Sequence, residues 1–219
     1  VCCLSSVNLE YYDEWRTNKL FLRDTAEMLD NVLQYFIDNA PDVISRAKFS
    51  AERERSIGIG ALGFHAYLQR NGIAFEGVMA KVANNKMFKH IRSKLNEANL
   101  ELGGERGSPG DCAGTGLRFA HVMAVAPNAS SSILMGNTSP SIEPYRANAY
   151  RQDTLSGSYL NKNKHLDKII KEMCDADTEL DYNEIWSSII ANDGSIQHLE
   201  FLDDWTKSVY KTSMEIDQR

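Results

Sequence analysis

The 219-residue chain carries 24 lysines and arginines against 30 aspartates and glutamates, a net charge of −6, and its 42% hydrophobic content can bury one large core or two small ones. This acidic balance excludes a surface that binds nucleic acid through a global positive field, so any anion must be held by local geometry. No apolar run approaches the roughly 20 residues of a membrane span, and no signal peptide is legible. Four cysteines, at positions 2, 3, 112 and 174 and without a CxxC pair, do not make a secreted disulfide framework. A reducing cytoplasm is the expected compartment.

In chain order, Val1-Cys2-Cys3-Leu4-Ser5-Ser6-Val7-Asn8-Leu9 reads as a short strand. Residues 18–39 place Leu20, Leu22, Ala26, Leu29, Val32, Leu33, Phe36 and Ile37 near helical spacing, with Pro41 just beyond, and predict an amphipathic helix. A second helix is predicted from Ile57 to Gln69, closed by Asn71-Gly72, and a third over about 80–102, stopped by Gly103-Gly104. The glycines between 104 and 116 mark a loop. The apolar run 120–126 predicts a strand that opens at Pro127-Asn128 into a serine-rich helix start. Residues 146–160 read as a hairpin around Ser156-Gly157, and helices are expected at 165–174, 181–191 and 203–217. Helices interleaved with few strands indicate an α/β layer architecture. The chain opens without a methionine and closes in mid-helix pattern, so residues 1–219 are expected to be a partial domain, truncated at both ends.

Gly58-Ile59-Gly60-Ala61-Leu62-Gly63 satisfies the dinucleotide fingerprint GxGxxG by letter, but charged, helix-favouring residues precede it where the fingerprint needs a strand. Glycine used for close helix packing is the better reading. The five histidines show no zinc-ligand spacing, and no GxSxG elbow is present, so no metal site and no serine nucleophile is expected. If Asn128 to Ser131 form a first helical turn, their N–H groups have no intrahelical partners, and the turn suits a phosphate. Ordinary capping by Asn128 or Ser130 calls for the same residue types. The vicinal Cys2 and Cys3 form a mutual disulfide poorly; a redox thiol here needs a distant partner, and two small buried residues are the plainer alternative.

These stretches occur in an order that resembles the large, catalytic α subunit of ribonucleotide reductases. Cys2 to Leu9 is similar to that family's C-x-L-x-S/A-x-N-L segment, and Ser56-Ile57-Gly58-Ile59-Gly60-Ala61-Leu62-Gly63 resembles its IGIG helix. Pro127-Asn128-Ala129-Ser130-Ser131 resembles its P-x-x-[ST]-[ST] phosphate turn. Gly136-Asn137, Ser141-Ile142-Glu143-Pro144, Leu155-Ser156-Gly157 and Asn192-Asp193-Gly194-Ser195-Ile196-Gln197 continue the match over essentially the whole chain.

The resemblance implies the second half of a ten-stranded α/β barrel, helix-rich, of phage or bacterial class I type. It implies a ribonucleoside-diphosphate reductase, an oxidoreductase of deoxyribonucleotide synthesis that works by thiyl-radical chemistry. Cys2 is then the redox-active thiol, its disulfide partner outside this chain, and Pro127, Asn128, Ala129, Ser130 and Ser131 bind the substrate phosphates. Cys3 is taken as structural. The family's N-x-C-x-E radical motif, second reducing cysteine, paired tyrosines and C-terminal thiols are absent here, and residues 104–120 are shorter than in many members. The implied partners are an upstream fragment of the large subunit, a metal-containing small (β) subunit that supplies the radical, a ribonucleoside diphosphate, and a thioredoxin- or glutaredoxin-type reductant. No cofactor is expected on this chain, and neither nucleic acid nor membrane is a partner. The alternatives are an inert fragment that keeps only the fold, or a piece of a B12-dependent reductase.

Overall fold

A computed structural model describes residues 1–154 and 157–217. Leu155 and Ser156 of the Leu155-Ser156-Gly157 motif, and the last two residues of the chain, lie outside the described residues. Two compact units are formed, Val1–Leu62 with Ala83–Asn128, and Gly63–Val82 with Ala129–Arg219.

In the first unit, strand β1 (Cys3–Asn8) pairs in parallel with β2 (Ile57–Leu62), Cys3 opposite Ile57 and Asn8 opposite Leu62. Parallel neighbours need a long crossover. It is supplied by α1 (Tyr12–Trp15), α2 (Phe21–Asn39) and α3 (Ser45–Glu54). Helix α2 buries Leu22, Ala26, Leu29, Leu33 and Ile37, while Val32, expected on the same stripe, is half exposed. Asn8 accepts a hydrogen bond from the Glu10 amide at 3.0 Å and so caps the turn after β1, which sets Leu9 into the core at 0% exposure.

The helix predicted from Ile57 to Gln69 is instead strand β2, a left-handed Gly63 (φ 78°), and a shorter helix α4 (Phe64–Arg70). All six residues of β2 are buried, and an unbroken apolar run with β-branched Ile57 and Ile59 is what a strand covered on both faces looks like. Its glycines are close-approach positions. A Cβ on Gly58 would lie 2.5 Å from Leu4 Cδ2 and 2.7 Å from Ala124 Cβ, and one on Gly60 would lie 2.5 Å from the Ala124 carbonyl oxygen. The fingerprint's first five residues therefore fall inside a strand, and only Gly63 lies in the turn before α4, so no glycine-rich turn is formed that could cradle phosphate.

The strand predicted at 120–126 is reduced to a single parallel bridge between Ile59 and Met123, with the Ile57 and Ile59 amides each donating at 3.0 Å to the His121 and Val122 carbonyls. Ala124 lies over the face of Gly60, which takes the segment out of the sheet. Helix α5 (Val78–Arg106) runs through Gly103-Gly104 rather than stopping there. Gly103 is needed for approach, since a Cβ there would meet the Gly116 carbonyl oxygen at 1.9 Å.

Buried Asp30 gathers the first unit's polar contacts. Its carboxylate accepts from Arg55 Nη2 at 2.7 Å, Arg106 Nη1 at 2.8 Å and Arg118 Nε at 3.1 Å. Burial pushes its pKa up, but the hydrogen bonds from Arg55 and Arg106 prevail and hold it below the usual carboxylate range.

In the second unit, α6 (Ala129–Leu134) precedes an antiparallel hairpin, β3 (Ala149–Thr154) against β4 (Gly157–Lys162), and then α7 (Lys164–Ala176), α8 (Tyr182–Ala191) and α9 (Asp204–Val209). Asn163 and Asp181 cap α7 and α8 through their side chains. Leu166, Ile170, Ile185, Trp186, Ile189 and Ile196 form its core. The helix predicted over 203–217 ends at Val209, because Ser213 turns back to donate to the Tyr145 carbonyl at 2.8 Å and the Thr212 amide donates to Glu215 at 2.7 Å. Residues 138–141 dock onto the start of α4: the Gly63 amide donates to the Ser139 carbonyl at 2.7 Å and the Ala66 amide to Ser139 Oγ at 3.1 Å. Among the described residues no helix is long and apolar enough to cross a membrane.

Candidate functional site

Cys2 immediately precedes β1 and Cys3 opens it, and the extended chain there separates the two vicinal thiols. Cys3 packs on the helix side against Leu33, Ile37 and Ala51. Cys2 is exposed, and its sulfur lies 3.2 Å from the point where a Gly58 Cβ would stand, on the same face as Leu4 and Ser6. Both thiols are free. Desolvation pushes the Cys2 pKa up from its ordinary value; Cys3 and Glu54 add to the rise and the amino-terminal ammonium opposes it, and the net rise favours the protonated thiol. Such a group is suited to delivering hydrogen and electrons as a thiol rather than to standing ready as a nucleophilic thiolate.

The turn that ends residues 119–128 is tied to the same sheet face. Asn128 adopts a left-handed backbone, φ 54°, and its side-chain nitrogen lies 2.9 Å from Ser6 Oγ, 3.1 Å from the Ala61 carbonyl and 2.9 Å from the Ala126 carbonyl. Helix α6 begins at the next residue. The first-turn amides have no intrahelical acceptor by helix geometry. Ser130 and Ser131 are exposed, whereas Ser132 is buried and donates back to the Ala129 carbonyl at 2.8 Å. The sequence offered Asn128 both as a phosphate donor and as a helix cap; its nitrogen is instead spent on the strands.

Sequence reasoning passed over Ser6 and the glycine face of β2. The signal was available in the small residues at 58 and 60, which in a buried strand mark the approach of another backbone. It also passed over a cavity of about 690 Å³ in the second unit, lined by Ser132, Asn137, Tyr145, Arg146, Tyr150 and Asp193 among others. The other cysteines stand apart from Cys2 chemically. Cys112 is buried in a short turn of the glycine-rich loop, and Cys174 packs at the margin of the second core. Among the described residues, no three His, Cys, Asp or Glu side chains converge as a metal site.

A parallel strand pair with helical crossover and a third segment bridged alongside it define an α/β protein. The chain belongs to the ribonucleotide reductase barrel-domain family: the model described as "Ribonucleotide reductase, barrel domain" matches residues 1–112 and 109–219. All of the chain aligns with the ribonucleoside-diphosphate reductase large subunit of Invertebrate iridescent virus 6, at 57% identity over 221 residues and 23% of that protein. The large subunit of Invertebrate iridescent virus 3 is 54% identical over 34% of its length. The class Id ribonucleotide reductase alpha subunit of Actinobacillus ureae superposes with a TM-score of 0.89 and 41% identity, over 99% of this chain and 39% of that one. The chain thus spans about a quarter to two fifths of the length of these relatives.

Proposed function

We propose that the chain is the part of a ribonucleoside-diphosphate reductase large subunit that supplies one reducing thiol, Cys2, and the turn that holds the substrate phosphates, Pro127 to Ser131. The observation that carries this reading is the separation of the vicinal cysteines. Cys3 is packed into the helix layer, and Cys2 is left protonated and accessible on the face to which the phosphate turn is tied. In the reaction the ribose 2′-hydroxyl leaves as water and hydrogen takes its place. The two electrons come from Cys2 and a second cysteine outside this chain, which end as a disulfide, and a thioredoxin- or glutaredoxin-type dithiol returns them to thiols. A separate metal-containing small subunit generates the radical, and an upstream segment carries the thiyl-forming cysteine that first takes hydrogen from the sugar. Exposed Ser130 and Ser131 and the first-turn amides of α6 hold the phosphates, so that binding far from the reacting carbon fixes the sugar's position. The cytoplasm supplies both the reductant and the substrate.

In a reconstituted reductase with a dithiol reductant, Cys2→Ser should abolish turnover while Cys3→Ser retains most of it; equal losses would overturn the assignment. Replacing Ser130 and Ser131 together by alanine should weaken diphosphate binding in a calorimetric titration, each hydrogen bond to a charged group being worth roughly 1.5–3 kcal/mol. Unchanged affinity would remove the turn from the substrate site.

A further inference from the structure

Asn128 stands among the phosphate-turn residues, yet its side chain is committed elsewhere. An amide nitrogen has two hydrogens. Three acceptors within 3.1 Å, on β1, on β2 and on the chain just ahead of the turn, use that capacity fully and leave no donor for a ligand. Ser6 is equally confined, since its hydroxyl oxygen lies 3.0 Å from the point where a Gly60 Cβ would stand. The left-handed backbone at Asn128 is one that asparagine tolerates better than most residues, and a left-handed residue next to right-handed ones gathers successive N–H groups into an anion-binding concavity.

We infer that Asn128 is a positioning residue rather than a substrate contact: its carboxamide clamps the start of the phosphate turn to Ser6, on the strand that Cys2 leads into. Ser6 is four residues from Cys2, about 13 Å along extended chain at ~3.3 Å per residue, so this hydrogen bond ties Asn128, where the turn opens, to the segment that carries the reducing thiol. Gly60 keeps the clamp in place by leaving no side chain between the strands and the Ala124 backbone. This inference rests on the function proposed above.

The test is a double-mutant cycle in the reconstituted reductase, with Asn128→Gly, Ser6→Ala and the pair, reading KM, kcat and calorimetric affinity for a ribonucleoside diphosphate. Glycine keeps the left-handed backbone and removes only the clamp. Asn128→Gly should raise KM about tenfold or more and lower kcat as well, because a misplaced turn misplaces the sugar. Ser6→Ala should cost less, and the pair should be no worse than Asn128→Gly alone. Asn128→Asp keeps the shape but turns a carboxylate toward two carbonyls, and should be at least as damaging. Additive losses in the cycle, or a lowered Tm with KM unchanged, would overturn the positioning role. Cys2→Ser and the Ser130/Ser131 double alanine variant, assayed alongside, separate the two levels. If those variants keep wild-type turnover and affinity, the proposed function fails; if they fail as expected while the cycle is additive, only the role of Asn128 does.

Discussion

Adjacent glycines in α5 should respond to the same substitution with opposite sign. A methyl group on Gly104 meets nothing within 4 Å, and the position is exposed in the last turn of α5, so Gly104→Ala should stabilise by up to about 0.5–1 kcal/mol through helix propensity alone. On Gly103 the methyl would lie 1.9 Å from the Gly116 carbonyl oxygen and 3.0 Å from the Arg118 amide nitrogen, backbone atoms that yield only if the loop moves. That loop is held by the buried side chain of Asn99, which accepts from the Arg118 and Phe119 amides at 2.8 Å each and donates to the Phe119 carbonyl at 3.0 Å. Overpacking costs about 1–3 kcal/mol. Losing one or more of the Asn99 bonds adds about 1 kcal/mol each. With one Asn99 bond lost and the same propensity gain subtracted, Gly103→Ala should destabilise by about 1–3.5 kcal/mol. At about 2–4 °C per kcal/mol for a chain of this size, circular dichroism melts should show Gly104→Ala rising by a few degrees and Gly103→Ala falling by roughly 2–14 °C. If both variants melt above the wild type, the backbone contact between α5 and Gly116 does not exist as described.

Two further outcomes concern buried ionisable groups. His65 is fully buried and its Nδ1 accepts from the Tyr145 amide at 2.9 Å, and desolvation lowers its pKa to about 4. Because the folded value lies below the unfolded one near 6.5, stability is complete above pH 6.5 and declines as pH falls toward 4, by up to about 3 kcal/mol. Denaturant titrations across that range should show the slope, and His65→Gln should flatten it. Asp30→Ala leaves the buried Arg55 guanidinium without its carboxylate and should cost about 3–5 kcal/mol in equilibrium unfolding, whereas a loss below 1 kcal/mol would mean that Arg55 finds solvent.

Where local pattern and local partners agree, the sequence alone located the element. Helix α2 follows from apolar residues at helical spacing, and α7 and α8 from the same spacing behind Asn163 and Asp181, whose capping partners lie two and three residues away. The opposed environments of Cys2 and Cys3 follow from strand alternation, which needs no knowledge of what lies on either side. Residues 57–62 carry no comparable local signal, because a short apolar run with glycines fits a buried helix or a buried strand equally well. Only the pairing with β1, some fifty residues earlier in the chain, makes it a strand, and only the Ala124 backbone lying over it explains why Gly58 and Gly60 carry no side chain. The same holds for Gly103, a helix stop by local rule but in fact the point where the loop that follows α5 folds back onto it. Asn128 is the sharpest case. Its residue type suits a cap, a phosphate donor or a left-handed turn, and these are decided by Ser6, 122 positions away, and by the Ala61 carbonyl, which occupy its donors. Donor capacity is finite, so what a polar side chain does is settled by which acceptors the tertiary fold brings to it first.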